Sequence, residues 1–309
     1  MSKSVLMTGG TGFIGSHLVD ELLKNDYKVF LLSHAFSDPY RIKSHLDKVK
    51  FYYVDKGETE KAFKENRIDY MIHLATKYIK NHQSIDEVNE MVQANVVFPT
   101  RLCELCVRHQ VRYFINTGTF FEYEMKDSPI KESDRLGAYN YYAATKLAFI
   151  EMLKYYVRDF DFHAVDFKLF PPFGDRDNEK LMAFLVKSII QSKEVEMSGG
   201  EQMWNFTYVK DIVQAYLLAL AKFEELNGYE VFNIGYDEAV SIKEVVNKFE
   251  MISGKKMNVK WGAKLYPEKE IFYVSCDNLK LRSLLGWEPK YGIDKGLEAT
   301  YNYFNKKYG

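Results

Sequence analysis

Seven short apolar runs, each closed by turn residues, punctuate the first three quarters of the chain: SVLMT, KVFLL, VKFYYV, DYMIHLA, VRYFINT, FHAVDFKL and EVFNIG. Stretches with the period of amphipathic helices fill most of the gaps, at 13–24, 88–109, 142–158, 180–192 and 211–223. This alternation predicts an α/β fold, a doubly wound parallel sheet with helices on both faces. Strands covered on both sides need apolar residues at successive positions, and these runs supply them. With 47% hydrophobic residues, the 309-residue chain can fill one large domain or two linked ones.

The first strand runs directly into TGGTGFIGSHL, where Gly9, Gly12 and Gly15 are spaced three apart ahead of an amphipathic helix. A glycine-rich turn between strand and helix is one reading. The fuller reading is dinucleotide binding: one glycine permits the tight turn, one lets the backbone approach a pyrophosphate, and one lets the helix pack close. The helix N-terminus then offers free N–H groups and a favourable dipole to the anion. The expected architecture is a Rossmann domain over 1–170, to which 205–235 returns. Residues 171–204 and 236–309, where the pattern is mixed, form a smaller α/β substrate lobe.

An acidic residue roughly 20 positions after the glycines ordinarily holds the ribose of NAD. Here the second strand ends in Ser33-His34. Without a carboxylate to repel a 2′-phosphate, the reading leans to NADP over NAD. Arg41 and Lys43 follow, as partners for that phosphate or as solvated loop charges.

Composition excludes other classes. A net charge of −1 gives no basic field for nucleic acid or an anionic membrane. Three cysteines, without a disulfide framework, fit a reducing compartment. Cys103 and Cys106 look like packing residues of a helix, with no second Cys/His pair to complete a metal site. No apolar run reaches spanning length, so a soluble, cytoplasmic protein is expected.

YNYYAATK, residues 139–146, crowds three tyrosines ahead of a lysine. Tyrosine titrates near ~10 and needs a neighbouring ammonium to serve as a proton donor or acceptor at neutral pH. Residues four apart share a helix face, which singles out Tyr142 and Lys146. Tyr139 stands two turns away and Tyr141 points elsewhere. Thr117 ends the fifth strand, at the carboxyl edge where open α/β sheets bind ligands. Its hydroxyl is placed to meet the same substrate oxygen as Tyr142. Thr119 is either a second substrate contact or the start of a turn.

Along nearly its whole length the chain resembles the extended short-chain dehydrogenase/reductase family of NAD(P)-dependent nucleotide-sugar epimerases, dehydratases and ketoreductases. TGGTGFIG is similar to the family's cofactor loop, which would place Gly9, Gly12, Phe13, Ile14 and Gly15 on the dinucleotide. Ser33, His34 and Arg41 would face its adenosine ribose, and Asp55 with Lys56 its adenine. HLAT matches the segment lying along the cofactor (Leu74, Ala75, Thr76), and Asn95 matches the family's helix asparagine. Tyr142 and Lys146 match Tyr-x-x-x-Lys, with Lys146 implied to hold the nicotinamide ribose beside Phe170. NFTYVKDIVQAYLLAL and LLGWEPKYGIDKGL resemble the family's later blocks. HLATKYIKN, FINTGTFF and MSGGEQMWNFTYVKDI are most similar to the CDP-abequose and CDP-paratose synthase group of 4-ketoreductases. The resemblance also implies a homodimer through helices 88–109 and 142–158.

Departures from the family pattern narrow the reaction. Gly118-Thr119 replaces the Asp-Glu of dehydratases, which disfavours loss of water. Cys103 and Cys106 are misplaced for the acid–base pair of epimerase-reductases. Pro171 stands where many members carry a substrate-binding asparagine, and Trp204-Asn205 replaces a frequent Arg-Asp. Trp204 would stack on a base or sugar instead. Lys180, Lys264, Lys269 or Arg176 would have to compensate a diphosphate. The expected activity is reduction of a nucleotide-linked 4-keto deoxy sugar, and the alternative is NAD-dependent 4-epimerisation.

Overall fold

The computed structural model describes residues 2–178, 180–226 and 228–309, and the chain divides into two compact units. The first comprises Met1–Glu124, Asp134–Lys168 and Val213–Phe232. Its sheet contains β1 (Ser4–Thr8), β2 (Lys28–Ser33), β3 (Val49–Tyr53), β4 (Tyr70–His73), β5 (Tyr113–Thr119), β6 (His163–Leu169) and β7 (Tyr229–Ile234). The strands lie in the order β7-β6-β5-β4-β1-β2-β3. The seven apolar runs therefore become the seven strands of a doubly wound sheet.

β1 pairs in parallel with both β2 and β4, and the winding reverses between them. At such a switch point the crossovers leave in opposite directions, and the carboxyl ends of the two strands open a crevice. Thr8 and His73, the last residues of β1 and β4, are register partners there. All of β1 is buried, including the polar Ser4 and Thr8.

The helices of this unit include α1 (Phe13–Lys24), α2 (Thr59–Glu65), α3 (Ile85–Val92), α4 (Phe98–Arg108) and α5 (Tyr141–Asp159). α3 and α4 are one helical run interrupted by a π turn at Gln93–Val97. Pro99 has no N–H to give to the carbonyl of Asn95 one turn back, so the ladder opens in that turn. Ser84 and Asn140 cap α3 and α5 by accepting from the N–H groups of Glu87 and Ala143. Cys103 and Cys106 pack with Phe114 of β5, Phe149 and Leu153 of α5, and Phe162. Burial pushes both thiols above their ordinary range, as befits inert packing residues.

The second unit comprises Met125–Ser133, Leu169–Ile212 and Asn233–Gly309. Residues 125–133, 169–170, 205–212 and 233–235, which the sequence reading placed with the first, fall in this unit. Among the described residues it carries three small sheets: Pro172–Phe173 with Thr207–Tyr208, Val195–Glu196 with Val259–Lys260, and Met203–Trp204 between Val240–Ser241 and Tyr273–Val274. Its helices are α6 (Leu181–Ile190), the start of α7 (Val209–Lys222), α8 (Ile242–Ser253) and α9 (Gly292–Tyr308). The fully buried Asp211 joins two of the sequence blocks. It accepts the Tyr236 hydroxyl at 2.7 Å and the N–H groups of Lys290, Tyr291 and Gly292, while its carbonyl accepts the Trp287 indole at 2.9 Å. The VKDI and GWEPKYG stretches meet through that one carboxylate.

Candidate functional site

The glycine loop is shaped by what its residues lack. Gly9 has φ +71, and a Cβ there would lie 2.9 Å from the Ala75 nitrogen. A Cβ on Gly15 would lie 2.0 Å from the Gly9 carbonyl oxygen, so α1 approaches the loop only with glycine at this point. Gly12 caps α1 without any side-chain hydrogen bond, which leaves N–H groups at the helix start without a side-chain cap. The cradle fits the diphosphate of a dinucleotide. Phe13 is buried and Ile14 partly so.

Thr8 fixes the neighbouring segment. Its hydroxyl accepts from the N–H groups of Leu74 (3.2 Å) and Ala75 (3.1 Å) and is 2.8 Å from His73 Nδ1. Burial keeps His73 neutral. Asn95, in the π turn, accepts from the Thr76 hydroxyl (3.0 Å) and the Lys77 N–H (2.8 Å). It donates to the Lys77 carbonyl and to Thr145 on α5. Asn95 is therefore a buried clamp between the HLAT segment and α5.

At the end of β2 the structure alters the cofactor argument. Asp55, from the turn after β3, accepts the Ala35 N–H at 2.9 Å and lies 3.9 Å from His34 Nδ1. A carboxylate that the β2 sequence lacks thus arrives beside the end of β2, from the turn after β3. His34 stacks on Phe36, Arg41 lies 4.6 Å over the Tyr40 ring, and Lys56 lies 4.4 Å over Tyr53. Ser33 is half-buried.

The three tyrosines of YNYYAATK separate cleanly. Tyr139 stacks on Phe121, Tyr141 faces His82, and the buried Tyr142 meets the edge of Tyr78 at 4.9 Å. Lys146 is buried as well, one turn along α5. The expected effect of this lysine on Tyr142 is not what the structure holds. Lys146 Nζ donates to the Thr117 carbonyl at 3.0 Å and stands 5.9 Å from the Tyr142 ring centroid. Burial pushes the Tyr142 phenol above its ordinary value, aided by Glu122 and Tyr78 and opposed by the Thr76 hydroxyl. Burial pulls Lys146 down to about 8, against Glu122 and Asp166, which raise it.

The Thr117 hydroxyl is 2.7 Å from that of Tyr216 on α7. Thr119 is a turn-former: its hydroxyl caps the turn Phe120–Glu122, and its N–H donates to Glu122 at 2.8 Å. Tyr216, Thr8, Glu122, Asp166 and Lys168 were not anticipated from the sequence. For the last two a signal existed. FHAVDFKL places Asp166 and Lys168 two apart, on one face of a strand that both faces bury.

In the second unit, Phe170 is buried and its N–H donates to Ile234 at 3.0 Å. The Pro171 carbonyl accepts from Thr207 at 2.9 Å. The Trp204 indole donates to the Ile271 carbonyl at 2.8 Å, and its ring stacks on Phe206. Lys180 lies 4.0 Å from Asp177.

Residues 5–235 match the NAD dependent epimerase/dehydratase family. The chain belongs to that family. It is 29% identical to a CDP-abequose synthase of Salmonella muenchen, over 96% of this chain and 97% of the relative. The UDP-glucuronic acid 4-epimerase of Bacillus cereus, solved with UDP-glucuronic acid and NAD, superposes with a TM-score of 0.87 at 27% identity, over 99% of this chain and 100% of that one. The UDP-glucose 4-epimerase of Thermotoga maritima, solved with UDP-glucose, gives 0.87 at 26%, over 98% and 99%. Family members of this kind are NAD-dependent enzymes, and the glycine cradle of this chain fits that cofactor class.

Proposed function

We propose that the protein is an NAD(P)H-dependent 4-ketoreductase acting on a nucleotide-linked deoxy sugar. The observation that carries this reading is the state of the side chains around the end of β5. Lys146 donates to the Thr117 carbonyl, with Tyr142 buried one turn before it on α5, and among the described residues the carboxylates around Gly118 are engaged. Thr119 is committed to a turn, and the Glu122 carboxylate beside Gly118 is buried against Lys168. A dehydratase needs such an acid or base, whereas a ketoreductase does not.

Gly9–Gly15 would hold the diphosphate of the cofactor, Asp55 its adenosine end, and Lys146 its nicotinamide ribose. The bound cofactor supplies hydride to the keto carbon. Tyr142 gives its phenolic proton to the developing alkoxide, and burial, which keeps that proton on, suits a donor. The Thr117 hydroxyl donates to the same oxygen, with Tyr216 fixing its rotamer. The second unit is read as the substrate lobe, where Pro171 and Trp204 would meet the sugar nucleotide. The likeness to CDP-abequose synthase favours a cytidine nucleotide.

Four-epimerisation is the second reading, favoured by the solved 4-epimerases that share the fold. The two part on cofactor consumption. Purified protein is incubated with a CDP-4-keto-6-deoxyhexose and either NADH or NADPH, and in parallel with UDP-glucose and NAD. The reductase reading expects loss of reduced nicotinamide in the first. Sugar interconversion without it, in the second, would replace this reading with the epimerase.

NADP, to which the sequence leaned, has the Asp55 carboxylate against it, so NADH is expected to bind at least as well as NADPH. A homodimer is proposed from the exposed Val97, Met152 and Tyr155 on the helical run 85–108 and α5. Light scattering at twice the 36.2 kDa chain mass would support it. Among the described residues no helix is long and apolar enough to cross a membrane.

A further inference from the structure

Behind the end of β5 lies a group of ionisable side chains that the proposed reaction does not use. Lys168 is 2% exposed, and Asp166 and Glu122 are fully buried. Lys168 Nζ is 2.6 Å from Asp166 Oδ2 and is also bonded to Glu122 Oε2. The other carboxylate oxygens are satisfied: Asn116 Nδ2 donates to Asp166 Oδ1 at 2.8 Å, and the Thr119 N–H donates to Glu122 Oε1 at 2.8 Å. The Tyr229 hydroxyl adds a bond to Asp166 Oδ2 at 2.9 Å.

The cluster occupies the room that a side chain at position 118 would need. A Cβ on Gly118 would lie 2.6 Å from Glu122 Oε1 and 2.9 Å from Lys168 Cδ. Every residue from Asn116 to Thr119 is held by this group or by the site: Asn116 by Asp166, the Thr117 carbonyl by Lys146, Gly118 by exclusion, Thr119 by Glu122.

Buried ion clusters are weak contributors to stability, and packed apolar residues of similar volume often do as well. Retaining one points to a task other than stability. With both carboxylates ionised against one ammonium, the cluster carries a single net negative charge; burial pushes the Glu122 carboxyl up and Lys168 pulls it back, and Lys146 is the buried cation bonded to the Thr117 carbonyl, between Asn116 and Thr119, which the cluster holds. We propose that Glu122, Asp166 and Lys168 are positioning residues that fix the Thr117–Thr119 backbone and keep Lys146 cationic through that one net negative charge. The proposal rests on the reading above, in which Lys146 holds the cofactor ribose.

Other groups facing Lys146 do not supply this charge. His73 on β4 is kept neutral by burial. Tyr142, on the same helix, holds its proton, and so does Tyr216 of α7, which reaches the site through Thr117. Glu122 and Asp166 raise Lys146 against burial, and Lys168 partly cancels them.

The test is the dissociation constant of NADH as a function of pH, read by fluorescence, in the wild-type chain and in K146M, E122Q, D166N and the double variant E122Q/K168M. Wild-type affinity should fall as pH rises through about 8, where the Lys146 ammonium is lost. K146M should lack that limb. E122Q and D166N each remove a negative charge, so the limb should move to lower pH by on the order of one unit. The double variant restores one net negative charge and should return the limb towards its original position. Folded E122Q and D166N proteins that bind more weakly by the same factor at every pH would overturn the proposal and leave a purely structural role. A limb that persists in K146M would instead overturn the ribose-holding reading and the proposal built on it.

Discussion

The glycine loop and the end of β5 both serve the same proposed chemistry, and they are built in opposite ways. At Gly9, Gly12 and Gly15 the site is made by the absence of side chains, so that backbone can approach backbone and the helix start carries no side-chain cap. Around Thr117 it is made by side chains with nowhere else to go: Lys146, Tyr216, Glu122, Asp166 and Lys168, all buried and nearly all paired. Binding a diphosphate needs shape and a fixed dipole, which a turn and a helix start provide. Moving a proton needs groups held in chosen charge states, and only burial and neighbouring charges set those.

The contrast can be broken by substitution at either end. Tyr142→Phe should lower kcat by roughly 10³-fold, with the NADH dissociation constant nearly unchanged. Unchanged turnover would remove Tyr142 from the chemistry. Lys168→Met leaves two carboxylates buried without their cation and should destabilise the fold by about 3 kcal/mol, read by urea denaturation. A loss well under ~1 kcal/mol would mean that the cluster relaxes easily. Gly15→Ala drives a methyl group into the Gly9 carbonyl, and the repair should cost about 2 kcal/mol. It should appear mainly as weaker cofactor binding, since the loop must move to admit it. Tyr216→Phe removes one buried hydrogen bond and should cost about 1 kcal/mol in stability, with a loss of kcat/KM below roughly tenfold.

The same contrast explains what the sequence could say. Strands buried on both faces write themselves as unbroken apolar runs, and the glycine spacing is local, so sheet, loop and first helix were all readable. Helical spacing picked Tyr142 out of three tyrosines because the comparison involved a single turn. The charge cluster was not readable in the same way. Its members come from residues 116–122, from 166–168 and from Tyr229, and their meeting depends on which strands are neighbours. Asp55 shows the same limit. The second strand ends without an acid, and the carboxylate beside it comes from the turn after the third. Lys146 was expected to lower the Tyr142 pKa on spacing alone, but the rotamer that carries its ammonium to the Thr117 carbonyl is a tertiary fact.

The central claim is that this site reduces a keto sugar and does not merely shuttle hydride within one. The direct measurement is the stoichiometry of a complete reaction, with reduced nicotinamide consumed per molecule of CDP-4-keto-6-deoxyhexose converted by the purified chain. The account predicts one equivalent consumed, with turnover by Tyr142→Phe slowed by roughly 10³-fold. Sugar interconversion at zero net consumption, by protein that purifies with tightly held NAD, would contradict it.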